Sequence, residues 1–175
     1  SVVPCFGHED SSDGMGLIYF GSSEILAALP GLVFQRLASF GGNVFALLGR
    51  EFDSSVVWKI SPLKPSSDST LSFPVREGAR DMSIDDRGRI WVVSQFDGTS
   101  PGLYSLHVQV YSPVGVLIKE ASFPNVSENL FDSSKDGKKF LHYDATGQKM
   151  VLAVPMGMSD LKVYVFDASH DFGSN

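Results

Sequence analysis

Two short motifs in this 175-residue chain have the residue types and spacing of known chemistry. Gly98-Thr99-Ser100-Pro101-Gly102 matches the G-x-S-x-G turn, in which a strained strand-to-helix elbow exposes a nucleophilic serine. That chemistry needs a helix after the serine. Here Pro101 follows it and Leu103 to Tyr111 has extended composition, so a polar turn is expected. Asp132-Ser133-Ser134-Lys135-Asp136-Gly137 opens like a calcium loop, but its twelfth position is Tyr143 instead of a bidentate glutamate. It reads as a turn ahead of a strand. His8, His107, His142 and His170 have no paired ligand spacing, although His142 falls on a strand expected to face inward. Cys5 stands alone, which excludes an internal disulfide and a multi-cysteine zinc site. No catalytic residue and no metal ligand is assigned from the sequence.

What remains is the chemistry of binding. Arg50, Asp53, Arg80, Asp81, Gln95 and Asp97 are the candidate ligand-binding residues, with Glu51, Arg76, Glu77 and Phe96 beside them. Mixed charges with aromatics on converging loops suit a binding surface held by a rigid scaffold. Whether these residues converge depends on the elements that carry them.

Those elements repeat. LASFGGNVFALL…VVWKISP (Leu37 to Pro62), MSIDDRGRIWVV…VQVYSP (Met82 to Pro113) and LHYDATGQKMVLAV…VYVFDA (Leu141 to Ala168) share one plan. Each has an apolar stretch, a turn with glycine, a second apolar run, a polar loop and a V-x-[IV] strand with an aromatic. In the middle copy the expected strands are Met82 to Asp85, Arg89 to Ser94, His107 to Ser112 and Val116 to Phe123. In the first they are Leu37 to Phe40, Val44 to Leu48, Val56 to Ile60 and Thr70 to Phe73. The last strands of both copies end alike, Leu71-Ser72-Phe73-Pro74 and Ala121-Ser122-Phe123-Pro124. The third copy has Phe140 to Asp144, Lys149 to Val154 and Leu161 to Asp167, without a fourth strand.

The turn glycines Gly42, Gly88 and Gly147 recur near the period of a four-stranded blade. The expected fold is all-β: four-stranded antiparallel meander units stacked as a β-propeller or part of one. A β-sandwich or open meander is the alternative. A single β-rich domain is expected over residues 1–175, with units at about 37–74, 82–124 and 141–168 and a partial or irregular unit over 1–36. Ser23 to Leu29 reads as strand or irregular structure in preference to a short helix. Val2 to Phe6 is a candidate for the missing last strand of the third unit. In such a meander the connection into the first strand and the loop after the second lie at one end of the sheet. That end gathers the binding candidates above.

Composition narrows the partners. Hydrophobic residues make up 43 % and charged residues 19 %, which favours a folded core over disorder. The formal net charge of −6 and the lack of a Lys/Arg stripe argue against a nucleic-acid partner. No apolar run approaches the ~20 residues that span a bilayer as a helix, so membrane insertion is not expected. No signal peptide is visible, and localisation stays open.

Ala79 to Val93, with its Asp85-Asp86-Arg87-Gly88-Arg89-Ile90-Trp91-Val92 core, resembles the strand turn of NHL and gluconolactonase/regucalcin-like propellers. Val108 to Pro124 resembles the rest of such a blade. The likeness is best over Arg80 to Pro124 and implies the fold. Asp86 is expected to bond its own turn backbone, and Ile90 and Trp91 to point to opposite faces. Gluconolactonase-like enzymes hold a divalent metal on the axis with Glu, Asn and Asp, and those ligands have no placed counterpart here. The leading functional expectation is a non-enzymatic binding or scaffold module for a protein or small-molecule ligand. The alternative is a metal-dependent lactonase- or esterase-type propeller enzyme, or a fragment of one, which would bring a divalent cation as cofactor.

Overall fold

The structure is a computed structural model that describes residues 14–19, 22–28, 33–49, 54–60, 70–98, 100–156 and 160–170, the first two as backbone strands. Arg50, Glu51, Asp53, Cys5, His8 and the Val2 to Phe6 segment lie outside the described residues.

The described chain is all-β, with thirteen strands in four antiparallel sheets. A hairpin pairs β1 (Gly14–Tyr19) with β2 (Ser22–Ala28). Strand is thus found over the Ser23 segment. The first four-stranded sheet is β3 (Val33–Phe40), β4 (Asn43–Gly49), β5 (Ser55–Ile60) and β6 (Thr70–Val75). The second is β7 (Ala79–Ile84), β8 (Ile90–Asp97), β9 (Tyr104–Tyr111) and β10 (Leu117–Val126). The third sheet holds β11 (Leu141–Asp144), β12 (Lys149–Met156) and β13 (Asp160–Asp167). In all three, strands neighbouring in sequence are neighbours in the sheet, which makes each a meander.

Why the strands form where they do follows from which faces are covered. The second sheet lies between the other two. Phe45, Leu47, Val57, Phe73 and Val75 of the first sheet pack against Met82, Ile90, Val92 and Tyr111 of the second. On the opposite face Trp91, Val93, Leu106, Val108 and Val110 pack against Leu141, Met150, Leu152 and Val154 of the third. Strand β8 is therefore buried on both faces, and Ile90-Trp91-Val92-Val93 is a continuous apolar run without alternation. Ile90 and Trp91 do point to opposite faces. Strand β12, covered on one face, alternates instead: Met150, Leu152 and Val154 are buried while Val151, Ala153 and Pro155 are half-buried. Each buried Leu, Val, Ile or Phe favours stacking by about 1.5–3 kcal/mol. The sheets approach each other most closely through their first strands, β3 against β7 and β7 against β11.

Two glycines of the second sheet seat phenylalanines of the first. A Cβ on Gly88 would lie 2.5 Å from the Phe40 ring, and one on Gly115 would lie 2.3 Å from the Phe73 ring. Both glycines have positive φ, 77° and 87°, so turn geometry and close packing demand the same residue.

The turn carboxylate differs from expectation. Asp86 is exposed, and it is the buried Asp85 that accepts from the Arg87 and Arg89 N–H groups, both at 3.0 Å. Its other oxygen accepts from Arg89 Nε at 2.6 Å and Trp91 Nε1 at 2.9 Å. Arg89 then donates to the carbonyls of Ala168 and His170, and Arg87 to that of Ser169. The turn thus clasps the segment after β13 as well as closing its own hairpin.

Candidate functional site

The connection into β7 and the loop after β8 lie at one end of the second sheet, with the connection from β10 to β11 beside them. The candidates at this end separate into two layers.

The inner layer is buried. Strand β7 begins at Ala79, not Met82, and β8 runs to Asp97, past Ser94, so Arg80, Asp81, Gln95 and Asp97 are strand residues. Arg80, Asp81 and Gln95 are buried with their polar groups paired inside the fold, while Asp97 is exposed. Asp81, fully buried, accepts from Arg36 Nε at 2.6 Å, the Met82 N–H at 2.8 Å, the Leu141 N–H at 2.8 Å and the Phe140 N–H. Arg36 also donates to the Lys138 carbonyl. One carboxylate therefore joins β3, β7 and the start of β11.

Arg80 donates through Nε to the Leu130 carbonyl at 2.9 Å and through its terminal nitrogens to Gln35 Oε1 at 2.7 Å and the Lys135 carbonyl at 3.0 Å. Asp136 accepts from it at 3.3 Å, and the Phe131 and Phe140 rings flank the guanidinium at 5.7 Å. Burial pulls its pKa below the ordinary arginine value, opposed by the charges of Asp136 and Asp81. Gln95 accepts from the Leu130 N–H and donates to the Glu128 carbonyl, each at 2.6 Å. The 127–139 connection is in this way laced across the end of the sheet. Within it, Asp132 caps a single 3-10 turn at Ser133–Lys135 by accepting from the Ser134 N–H. A hydrogen bond from the Ser134 hydroxyl, with that from the Ser134 N–H, holds the Asp132 carboxyl below its ordinary pKa. The calcium-like motif is thus a capped turn. The G-x-S-x-G segment is also a turn, closed by Gly98 N–H to Leu103 carbonyl at 2.7 Å and followed by β9.

The outer layer is accessible. Arg76 donates to Glu120 Oε1, and His107 Nδ1 lies 2.7 Å from the same oxygen. Because a carboxylate only accepts, His107 Nδ1 carries the hydrogen in this contact. The Arg76 guanidinium sits 4.6 Å from the centre of the Phe96 ring, which meets the His107 ring edge-on at 5.0 Å. Side-chain exposure is 40 % for Arg76, 30 % for Glu120 and 14 % for His107. The Arg76 N–H donates to the Tyr111 hydroxyl at 3.2 Å, which ties the connection to β9. Burial raises the Tyr111 phenol above its ordinary pKa.

Beside this cluster is an unmatched donor. Gln109, opposite Glu120 in the β9–β10 ladder and 1 % exposed, accepts from the Ser94 hydroxyl at 3.2 Å, but its amide nitrogen has no partner. Such a group in the interior calls for an acceptor from a ligand or water.

The structure therefore brings Arg80, Asp81 and Gln95 together below the end of the sheet, with Asp97 exposed at its rim. Sequence reasoning did not select Glu120, Tyr111 or Gln109, and treated His107 as isolated. Antiparallel pairing across the Pro113 to Gly115 turn is the signal that would have found them. It sets His107 opposite Ser122 and Gln109 opposite Glu120 on one face. His142 is exposed on β11 opposite Val151, away from the second sheet. Among the described residues no group of three or more His, Cys, Asp or Glu side chains is placed to hold a metal ion. No family model, characterised protein or solved structure matches the chain.

Proposed function

We propose that this chain is a non-enzymatic binding or scaffold module that holds a protein or small-molecule ligand at the loop end of stacked β-meander units. The observation that carries the proposal is the outer cluster of Arg76, Phe96, His107 and Glu120 beside the orphaned Gln109 amide. It combines a cation, a carboxylate, an imidazole and an aromatic on a partly open surface. The buried web of Asp81, Arg80 and Gln95 underneath keeps the backbone from shifting, and a preorganised surface loses less entropy on binding. The stacking of three meanders through their first strands, with the NHL-like turn at Asp85 to Val92, supports the finer reading of the fold as an arc of a β-propeller.

Screening a fragment library and a peptide library against isotope-labelled protein by NMR tests the site. Binders should shift the Arg76, Phe96, His107, Gln109 and Glu120 signals, and Arg76→Ala with Glu120→Gln should abolish those shifts. Binders that all map away from the cluster, or shifts that survive the double substitution, would sink the assignment.

A further inference from the structure

The outer cluster holds more hydrogen-bond donors than acceptors. Glu120 Oε1 serves both the Arg76 guanidinium and His107 Nδ1. Gln109 stands opposite Glu120 in the β9–β10 ladder and two residues from His107, so its side chain shares their face. Facing residues of an antiparallel pair have Cβ atoms about 4.5–5.5 Å apart, which brings the three donors to one place. Yet the Gln109 amide nitrogen has no partner, and among the described residues only one guanidinium nitrogen of Arg76 is engaged. Reversing the Gln109 amide is no remedy. Its nitrogen would then meet the Ser94 hydroxyl, and the orphan would be an oxygen on the residue facing the Glu120 carboxylate.

Two features point to an anion as what this surplus of donors receives. The Phe96 ring lies against the Arg76 guanidinium and meets the His107 ring edge-on, so two of the donors are braced on one aromatic. The place is also already fitted to a carboxylate, because that of Glu120 occupies it. Glu120 is not fixed there. Its side chain is 30 % exposed, and an ion pair this open to solvent is weak. Gln109, by contrast, is 1 % exposed, and a charge-assisted bond to its amide forms away from bulk water, where it is strong.

We propose that the ligand of this cluster carries a carboxylate, which replaces that of Glu120 on Arg76 and His107 and accepts from the Gln109 amide as well. The inference rests on the loop-end cluster being the binding site. Glu120 is then an internal competitor that keeps the donors aimed while no ligand is bound. A guanidinium fork, an imidazole N–H and an amide NH2 together match the lone pairs of a carboxylate. That group belongs to the acidic side chain or the end of a peptide, or to a free small acid.

Succinate, a capped acidic tetrapeptide, succinamide and butylamine are the probes, titrated into the intact isotope-labelled chain and followed by NMR. The two carboxylates should give saturable shifts of the Gln109 side-chain amide signals, and succinamide and butylamine none. Glu120→Gln removes the competing charge and should tighten carboxylate binding about tenfold, whereas Arg76→Ala should weaken it about tenfold or more. Gln109→Leu should weaken it too, and keeps the test standing if Arg76→Ala does not fold. The tighter of the two carboxylates tells a peptide source from a free acid. Butylamine binding that Glu120→Gln abolishes would overturn the carboxylate and leave the cluster as the site. Carboxylates that do not bind, or that bind equally to wild type and variants, overturn the proposal, and fragment binders mapping to the cluster would still uphold the site. A Gln109 amide already hydrogen-bonded in the free chain, shown by a small temperature coefficient of its signals, overturns the proposal as well.

Discussion

Arg80 and Arg76 stand at the same end of the same sheet and do opposite things. Arg80 lies inside, with its guanidinium spread over two backbone carbonyls, an amide oxygen and a carboxylate. Arg76 lies outside, with one carboxylate and one aromatic face for partners and 40 % of its side chain in water. Desolvation makes the difference. A buried charge must be fully paired or the fold pays for it, so Arg80 and Asp81 are committed to structure. A partly solvated charge can exchange its partner for a ligand at little cost. Charged residues at a loop end are therefore not equivalent binding candidates, even when they are close in sequence.

Substitution separates the two layers, with the largest effect expected at Asp81. Asp81→Ala strands Arg36 and three backbone N–H groups and should destabilise the fold by about 3–5 kcal/mol. Denaturant unfolding measures it, and a loss below about 1 kcal/mol would mean that water replaces the carboxylate and that the inner layer is not sealed. Gln95→Ala leaves the Leu130 N–H and the Glu128 carbonyl without their partner, for about 1–3 kcal/mol. Its effect should appear first as faster hydrogen exchange across 127–139.

Tyr111→Phe, at the boundary of the layers, removes the acceptor for the Arg76 N–H and should cost about 1 kcal/mol at neutral pH. It also has a pH signature. The folded phenol titrates above its unfolded value, so its contribution is full below about pH 10 and is lost as pH rises through the folded pKa. The alkaline decline in stability should therefore be shallower in the Phe variant.

Arg76→Ala and Glu120→Gln belong to the outer layer and should each change stability by less than about 1 kcal/mol. If either unfolds the protein, the contrast between the layers fails. The smallest effect is expected at Asp167 on the exposed rim. Ser169 and Lys149 hold its carboxyl well below the ordinary range. The stabilisation is present above about pH 4 and is lost as pH falls through the depressed value. Asp167→Asn should make the acid limb of a melting series slightly flatter, and an unchanged limb would show that solvent screens the interaction.

Much of the strand plan was legible. Val108 and Val110 alternating with Gln109 and Tyr111 marks a strand with two different environments. The dense run Ile90-Trp91-Val92-Val93 marks one covered on both sides, and the repeated Ser-Phe-Pro marks an edge. The sites were legible only in part, because pairing along the chain says nothing of partners far away. Asp81 meets Arg36 across 45 residues and the Leu141 N–H across 60. Without those partners it reads as an ordinary loop acid. The Asp85-for-Asp86 exchange has the same origin, since either side chain can close the turn locally and only burial against Arg89 and Trp91 selects one.

From the residues alone it follows that the chain is built of antiparallel meanders, since side-chain alternation and turn chemistry act over a few residues. Which polar groups at the loop end are spent on the fold, and which face water beside an unsatisfied Gln109, was decided by stacking. The G-x-S-x-G and calcium-like segments, chemically suggestive as strings, became turns because their hydrogen bonds close on themselves. Arg76, His107 and Glu120, unremarked as a set in the string, became a cluster because the β9–β10 register lays the strands of His107 and Glu120 side by side and the packed β6–β7 connection brings Arg76 to the same carboxylate. Burial and register are properties of the assembled sheets, and no window of sequence contains them.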